Sequence, residues 1–264
     1  MSETIRITDP RDPRLDDFRD LSRADRRPDR PGGRGLVIAE GAMVVRRLVV
    51  SPYPVRALLG VDRRYEELAA DLEQEVAPYY KVSAELMAEV VGFHLNRGVL
   101  ATADRVEFPA AAELLDEVRS VAVLEGVGDH ENLGGIFRNA AALGVGAVLL
   151  ADGCADPLYR RSVRVSMGTV LAVPFTTVDW LNAGMSLLRR KGFRIVALSP
   201  SGSTTLREAA LDGKVALLVG SEGPGLTAQA LAAADVRVRI PMAAGVDSLN
   251  VATAAAIAFA ALPG

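Results

Sequence analysis

The residue types able to bind and activate a polar substrate fall in three short stretches. The first runs Leu124-Glu125-Gly126-Val127-Gly128-Asp129-His130-Glu131-Asn132-Leu133-Gly134-Gly135-Ile136-Phe137-Arg138 and joins a strand-like run to a helix-like one. Asn132 stands at the helix entrance, where an asparagine side chain makes a good N-cap. Gly134 and Gly135 in a first helical turn cost roughly 1 kcal/mol each relative to alanine. A close approach of another backbone or of a ligand is expected there. Arg138, set among Ile136, Phe137 and Ala140, is out of place in a core unless it is paired. Its guanidinium suits a phosphate or carboxylate; a structural salt bridge is the alternative.

The second and third stretches each follow an apolar, strand-like run near the C-terminus. One reads Val215 to Gly220 and then Ser221-Glu222-Gly223-Pro224-Gly225-Leu226. The other reads Val236 to Ile240, then Pro241-Met242, and closes with Asp247-Ser248-Leu249-Asn250-Val251. A buried strand ending in glycines lets backbone N–H and C=O groups approach a ligand closely. Two such turns side by side make a pocket for a flat, polar-edged ligand such as adenine. The first stretch is not a dinucleotide fingerprint, because Gly126 and Gly128 would require a glycine where Glu131 stands.

The elements that must position these residues follow from the apolar pattern. Strands alternate with helices of about ten residues from Leu36 to Ala103, which indicates a small α/β domain over residues 35–105. Residues 106–118 read as an Ala-rich linker helix. A second alternation fills residues 119–264, with a helix expected from Trp180 to Lys191 and about six strands. Those strands are apolar without alternation, the pattern of a parallel sheet covered on both faces. Residues 1–34 hold nine arginines, eight acids and four prolines, so a flexible charged arm with one short helix is expected.

Composition bounds the function. The formal charge of −3 argues against a surface coated with basic residues, yet Arg160, Arg161 and Arg164 form a cluster with no acid inside it. Such a patch can hold a phosphate backbone; a solvated helix face is the bland alternative. The single cysteine, Cys154, rules out an internal disulfide, and with only His94 and His130 beside it no zinc site of usual spacing is expected. Cys154 and Trp180 read as packing residues. No signal-peptide pattern and no stretch of about 18 strongly apolar residues is present, so a cytoplasmic protein without a membrane span is expected.

Asn132-x-Gly134-x-x-x-Arg138, then Gly220-x-Glu222-Gly223-x-Gly225, then Ile240-Pro241-Met242 with Ser248-Leu249-Asn250-Val251, resemble in order and spacing the three motifs of the SpoU-type RNA 2′-O-ribose methyltransferases of the SPOUT superfamily. The front domain resembles, more loosely, the ribosomal-protein-like RNA-binding domain often fused to them, through Glu40-Gly41 and Gly92 to Gly98. This resemblance implies a parallel sheet ending in a deep trefoil knot, and a homodimer that assembles each active site from two chains. It implies S-adenosylmethionine (S-adenosyl-L-methionine) held by Leu198, Gly220, Glu222, Gly223, Ile240, Met242, Ser248, Leu249 and Asn250. The reaction would rest on Asn132, Arg138, Glu222, Ser248 and Asn250, with Asn132 holding Arg138 or the ribose. RNA, ribosomal or transfer, would meet Arg138, Arg160, Arg161, Arg164, His94 and Arg97. His94 could stack on a base or be an ordinary loop histidine. His130 stands where the family more commonly has proline and reads as a surface residue without a role.

Overall fold

The computed structural model describes residues 3–21, 35–179 and 183–262, and by contacts the chain forms two compact units. The first holds residues up to Val106 together with Leu158–Ala172. Its strands β1 (Thr4–Arg6), β2 (Val37–Glu40), β3 (Val55–Gly60), β4 (Tyr79–Lys81) and β5 (Val99–Ala103) form one sheet in the order β1-β4-β3-β5-β2. Helices α1 (Ala42–Val49), α2 (Asp62–Leu68) and α3 (Ala84–Val91) lie between them in sequence.

Two expectations about this unit are corrected. The segment read as a flexible arm contributes β1, which pairs in parallel with β4. Its Ile7, Leu15, Phe18 and Leu21 are buried against Leu59, Val91 and Leu100. The alternating charges misled because they are used in pairs on the surface: Arg19 with Asp16, Arg56 with Asp17, Arg14 with Asp12. Residues 22–34 of that segment, and Trp180, lie outside the described residues. The second correction concerns the domain assigned to residues 119–264, since the helix Arg160–Val165 belongs by contacts to the first unit.

The second unit runs through α4 (Ala111–Asp116), β6 (Ser120–Glu125), α5 (His130–Ala142) and β7 (Ala147–Leu150); the helix Arg160–Val165 follows as α6. It continues with β8 (Phe175–Thr177), α7 (Met185–Arg190), β9 (Arg194–Leu198), β10 (Thr204–Thr205) and β11 (Val215–Gly220). The chain ends with α8 (Ala228–Ala233), β12 (Val236–Arg239) and α9 (Val251–Phe259). All seven strands are parallel, in the order β10-β12-β9-β11-β6-β7-β8. Central β11 is buried along its whole length, which is why Val-Ala-Leu-Leu-Val shows no alternation. The helix α4 is no linker, since Leu114 and Leu115 are buried in the same core as Val121, Leu149, Ile195 and Leu218.

Glycine is required where β11 ends. A Cβ on Gly220 would lie 2.3 Å from the Gly225 carbonyl carbon and 2.3 Å from the Leu226 nitrogen. The turn folds back onto the strand: Ser221 and Gly225 form a bridge, and the Gly225 N–H donates to the Ser221 carbonyl at 3.1 Å. Gly223, at φ 86°, has no atom within 4 Å of a built Cβ. Gly220→Ala is therefore expected to cost about 3 kcal/mol, since backbone on both sides cannot give way. Gly223→Ala should cost only the left-handed penalty of about 1–2 kcal/mol. Urea unfolding of the two variants checks the ranking; equal losses would contradict the steric reading.

Candidate active site

The C-terminal ends of β9, β11 and β12 meet at a cavity of about 390 Å³. Leu198, Gly220, Glu222, Gly223, Ile240, Met242, Ser248 and Leu249 all line it, so eight of the nine residues expected to hold a cofactor share one space. Its volume lies within the range of small-molecule sites, roughly 300–1,000 Å³. Ser199, Pro200 and Ser201 line it too and were not anticipated. The signal was present: β9 is followed by Ser199-Pro200-Ser201-Gly202, a third turn beside the two glycine and proline turns. Gly202 explains how that turn is held, since a Cβ there would sit 2.4 Å from the Val238 carbonyl carbon of the neighbouring strand.

The three polar stretches are joined by side chains. Asn250 caps α9, its Oδ1 accepting from the backbone N–H of Ala252 at 3.0 Å and of Thr253 at 3.2 Å. That use of the oxygen turns the Asn250 Nδ2 outward, where it donates to Asn132 Oδ1 at 2.6 Å. Asn132 in turn donates from its own Nδ2 to Glu222 Oε2 at 2.9 Å. Each amide has one sense only in this chain, because a reversed amide would set oxygen against oxygen or nitrogen against nitrogen.

Asn132 is free for this work because it is not the helix cap. Asp129 is: its Oδ1 accepts from the Glu131 and Asn132 N–H groups at 3.0 and 2.9 Å, and α5 begins at His130. The expectation of Asn132 as N-cap is thus corrected, and of the two partners expected for its side chain, Arg138 or the ribose, Arg138 is not the one bonded here: the amide is joined to Glu222 and Asn250. Gly135 does mark a close approach, since a Cβ there would lie 3.0 Å from the Cβ of Ala252 on α9. Asn139 fastens the same contact by donating to the Ala252 carbonyl at 2.8 Å.

Arg138 is not in the core. It is exposed and forms no hydrogen bond or ion pair with any described residue. Arg160 is used internally: in the first unit its guanidinium lies 3.2 Å from the buried Glu40 carboxylate and 4.7 Å from the centroid of the Phe93 ring. Burial pulls its pKa below the usual arginine value despite the Glu40 charge. Arg97 approaches the other Glu40 oxygen at 4.0 Å. Arg160 is therefore a structural cation rather than a free hand for RNA, while Arg161 and His94 are exposed and Arg164 is half-buried.

The two roles of Asn250 separate by substitution. Asn250→Asp keeps the capping oxygen but loses the donor and sets a carboxylate oxygen against Asn132 Oδ1, so it should cost about 1 kcal/mol. Asn250→Ala loses both the donor and the cap and should cost about 2 kcal/mol. Thermal unfolding reads the difference, and an aspartate variant as unstable as the alanine one would remove the cap from the account.

Residues 119–260 match the family model described as the SpoU rRNA Methylase family. An uncharacterized tRNA/rRNA methyltransferase of Mycobacterium tuberculosis is 58% identical over 258 residues, covering 96% of this chain and 89% of the relative. The 23S rRNA (guanosine(2553)-2′-O)-methyltransferase RlmP of Bacillus subtilis is 29% identical, with 83% of this chain and 85% of that protein covered. The crystal structure of an AdoMet-bound rRNA methyltransferase from Sinorhizobium meliloti has a TM-score of 0.79 at 25% identity, covering 98% of this chain and 97% of the other. With a family model matching residues 119–260, more than half of the chain, this chain belongs to the SpoU rRNA Methylase family.

Proposed function

We propose that the chain is an S-adenosylmethionine-dependent methyltransferase that methylates a ribose 2′-hydroxyl of ribosomal or transfer RNA. The observation that carries this reading is the linked chain of Glu222, Asn132 and Asn250 beside the 390 Å³ cavity. The methyl acceptor is supported by the curated relative whose name specifies guanosine 2′-O-methylation of 23S rRNA.

The cavity fits the cofactor's chemistry. Leu198, Ile240, Met242 and Leu249 offer apolar walls to a flat ring, and the glycine turns leave backbone groups open at its edge. Glu222 supplies a carboxylate to a cationic ligand. When bound, S-adenosylmethionine supplies an electrophilic methyl group. Asn132 keeps the Glu222 carboxylate in place by donating to it. Ser248 lines the same cavity, and in this reading its hydroxyl faces the substrate.

Arg138 stays protonated at any physiological pH and is no base by itself. Its role in this reading is to grip the RNA phosphate next to the target ribose and to stabilise charge developing on the 2′ oxygen. The adjacent phosphate is the candidate acceptor of the hydroxyl proton in this reading. An exposed arginine without a partner among the described residues suits a site that a second chain completes. The packed pair α5 and α9 exposes Leu143 and Ile257, apolar surface for a homodimer. A C-terminal trefoil knot belongs to the same reading; in its favour, β12, last in sequence, lies between β10 and β9. The compartment in this reading is the cytoplasm, where ribosomal and transfer RNA are substrates.

Purified chain incubated with labelled S-adenosylmethionine and ribosomal or transfer RNA should yield 2′-O-methyl nucleosides on digestion. Arg138→Ala should lower transfer by about 100-fold or more while calorimetry shows unchanged cofactor affinity. A methylated base would move the acceptor off the ribose. Full transfer by the variant would sink the role of Arg138, and a chain without cofactor affinity would be an RNA-binding scaffold.

A further inference from the structure

The first unit contains a second concave site, of about 300 Å³, at the junction of the loop after α3 and the start of α2. Arg63, Arg64, His94 and Asn96 line it, with Val61 and Leu95 at its base. The loop is anchored from within. Gly92 ends α3 in a left-handed turn, and Phe93 and Leu95 pack against the core of the unit. Between and beyond these two anchors, His94 and Asn96 are exposed to solvent. The far end is tied twice: the Gly98 N–H donates to the Leu95 carbonyl at 3.1 Å, and the Gly98 carbonyl accepts from Val61 N–H at 3.1 Å.

The polar groups of this cleft are unequal in how they are used. Arg64 is committed to Glu67. The acids next to the cleft in sequence, which do not line it, are committed as well: Asp62 to Arg6 at 2.6 Å, with Lys81 at 3.9 Å, and Glu85 to its own backbone N–H and the Ser83 hydroxyl. Arg63, His94 and Asn96 make no hydrogen bond or ion pair with any described residue, and all three are exposed. The cleft therefore presents a free cation, a free imidazole face and a free amide around one small concavity. Those are the contacts of a phosphate, a stacked base and a base edge. A base-paired helix cannot place a base inside such a concavity, whereas an unstacked one can enter it.

We propose that this cleft receives one unpaired nucleotide of the RNA substrate, its phosphate on Arg63, its base against His94 and its edge or hydroxyl on Asn96. The inference rests on the reading of the chain as an RNA methyltransferase and adds to it a requirement: the substrate carries a single-stranded nucleotide away from the methylated one.

The test uses the full chain and a short single-stranded RNA, with the blunt duplex of the same sequence as comparison, titrated at several salt concentrations. His94→Ala should weaken single-strand binding about tenfold, and His94→Phe, which keeps a stacking face, should restore it. Arg63→Ala should flatten the dependence of log affinity on log salt by about 0.7. Duplex binding and affinity for S-adenosylmethionine should be unchanged in all three variants. Parent-like single-strand affinity and salt slope in both alanine variants would overturn the proposal, as would an equal loss on duplex. Because the readout is binding, it stands apart from catalysis: a chain that methylates no RNA would defeat the proposed function without deciding the cleft.

Discussion

One amide group in the second unit, that of Asn250, has both of its ends committed, and the geometry of the candidate active site depends on it. Its oxygen satisfies two N–H groups at the start of α9 that have no partner within the helix. Its nitrogen is then left facing Asn132. Orientation passes from a helix terminus to a side chain, from that side chain to a second amide, and from there to the Glu222 carboxylate. A net hydrogen bond is modest in energy, about 1 kcal/mol, so the chain is better understood as a fixing of direction than as a source of stability.

The position of Asn132 in that chain follows from packing rather than from polarity. The helix α5 can lie against α9 because Gly135 presents no Cβ to Ala252, and Asn139 bonds the same turn of α9. Asp129 relieves Asn132 of capping. The glycines of the C-terminal turns act similarly: Gly220 and Gly202 let neighbouring backbone pass at distances no side chain tolerates, and the cavity wall is made of those turns. Backbone contact, bought with glycine, is what brings the three polar stretches within reach of one another.

Much of this was legible in the chain itself. The apolar runs of β6, β7, β9 and β11 announce a buried parallel sheet, and the glycine and proline turns announce the cavity. Three features were not legible, each for a physical reason. Residues 3–21 look like a disordered arm because their charges are balanced in pairs only once folded, around an apolar set of four residues too sparse to show a period. The basic run at Arg160 looks like a nucleic-acid patch because the acid that neutralises Arg160, Glu40, lies 120 residues away in sequence. Arg138 looks buried because its neighbours are apolar, yet six residues from Asn132 on a helix it lies on a different, exposed face.

Asn132 acts by holding Glu222, and a double-mutant cycle on methyl transfer measures this directly. If the two side chains work as one unit, Asn132→Ala and Glu222→Ala should each lower transfer to a similar extent, and the double variant should lose little more than either. Losses that multiply in the double variant would show two independent contributions and would contradict the linked chain as the basis of the site.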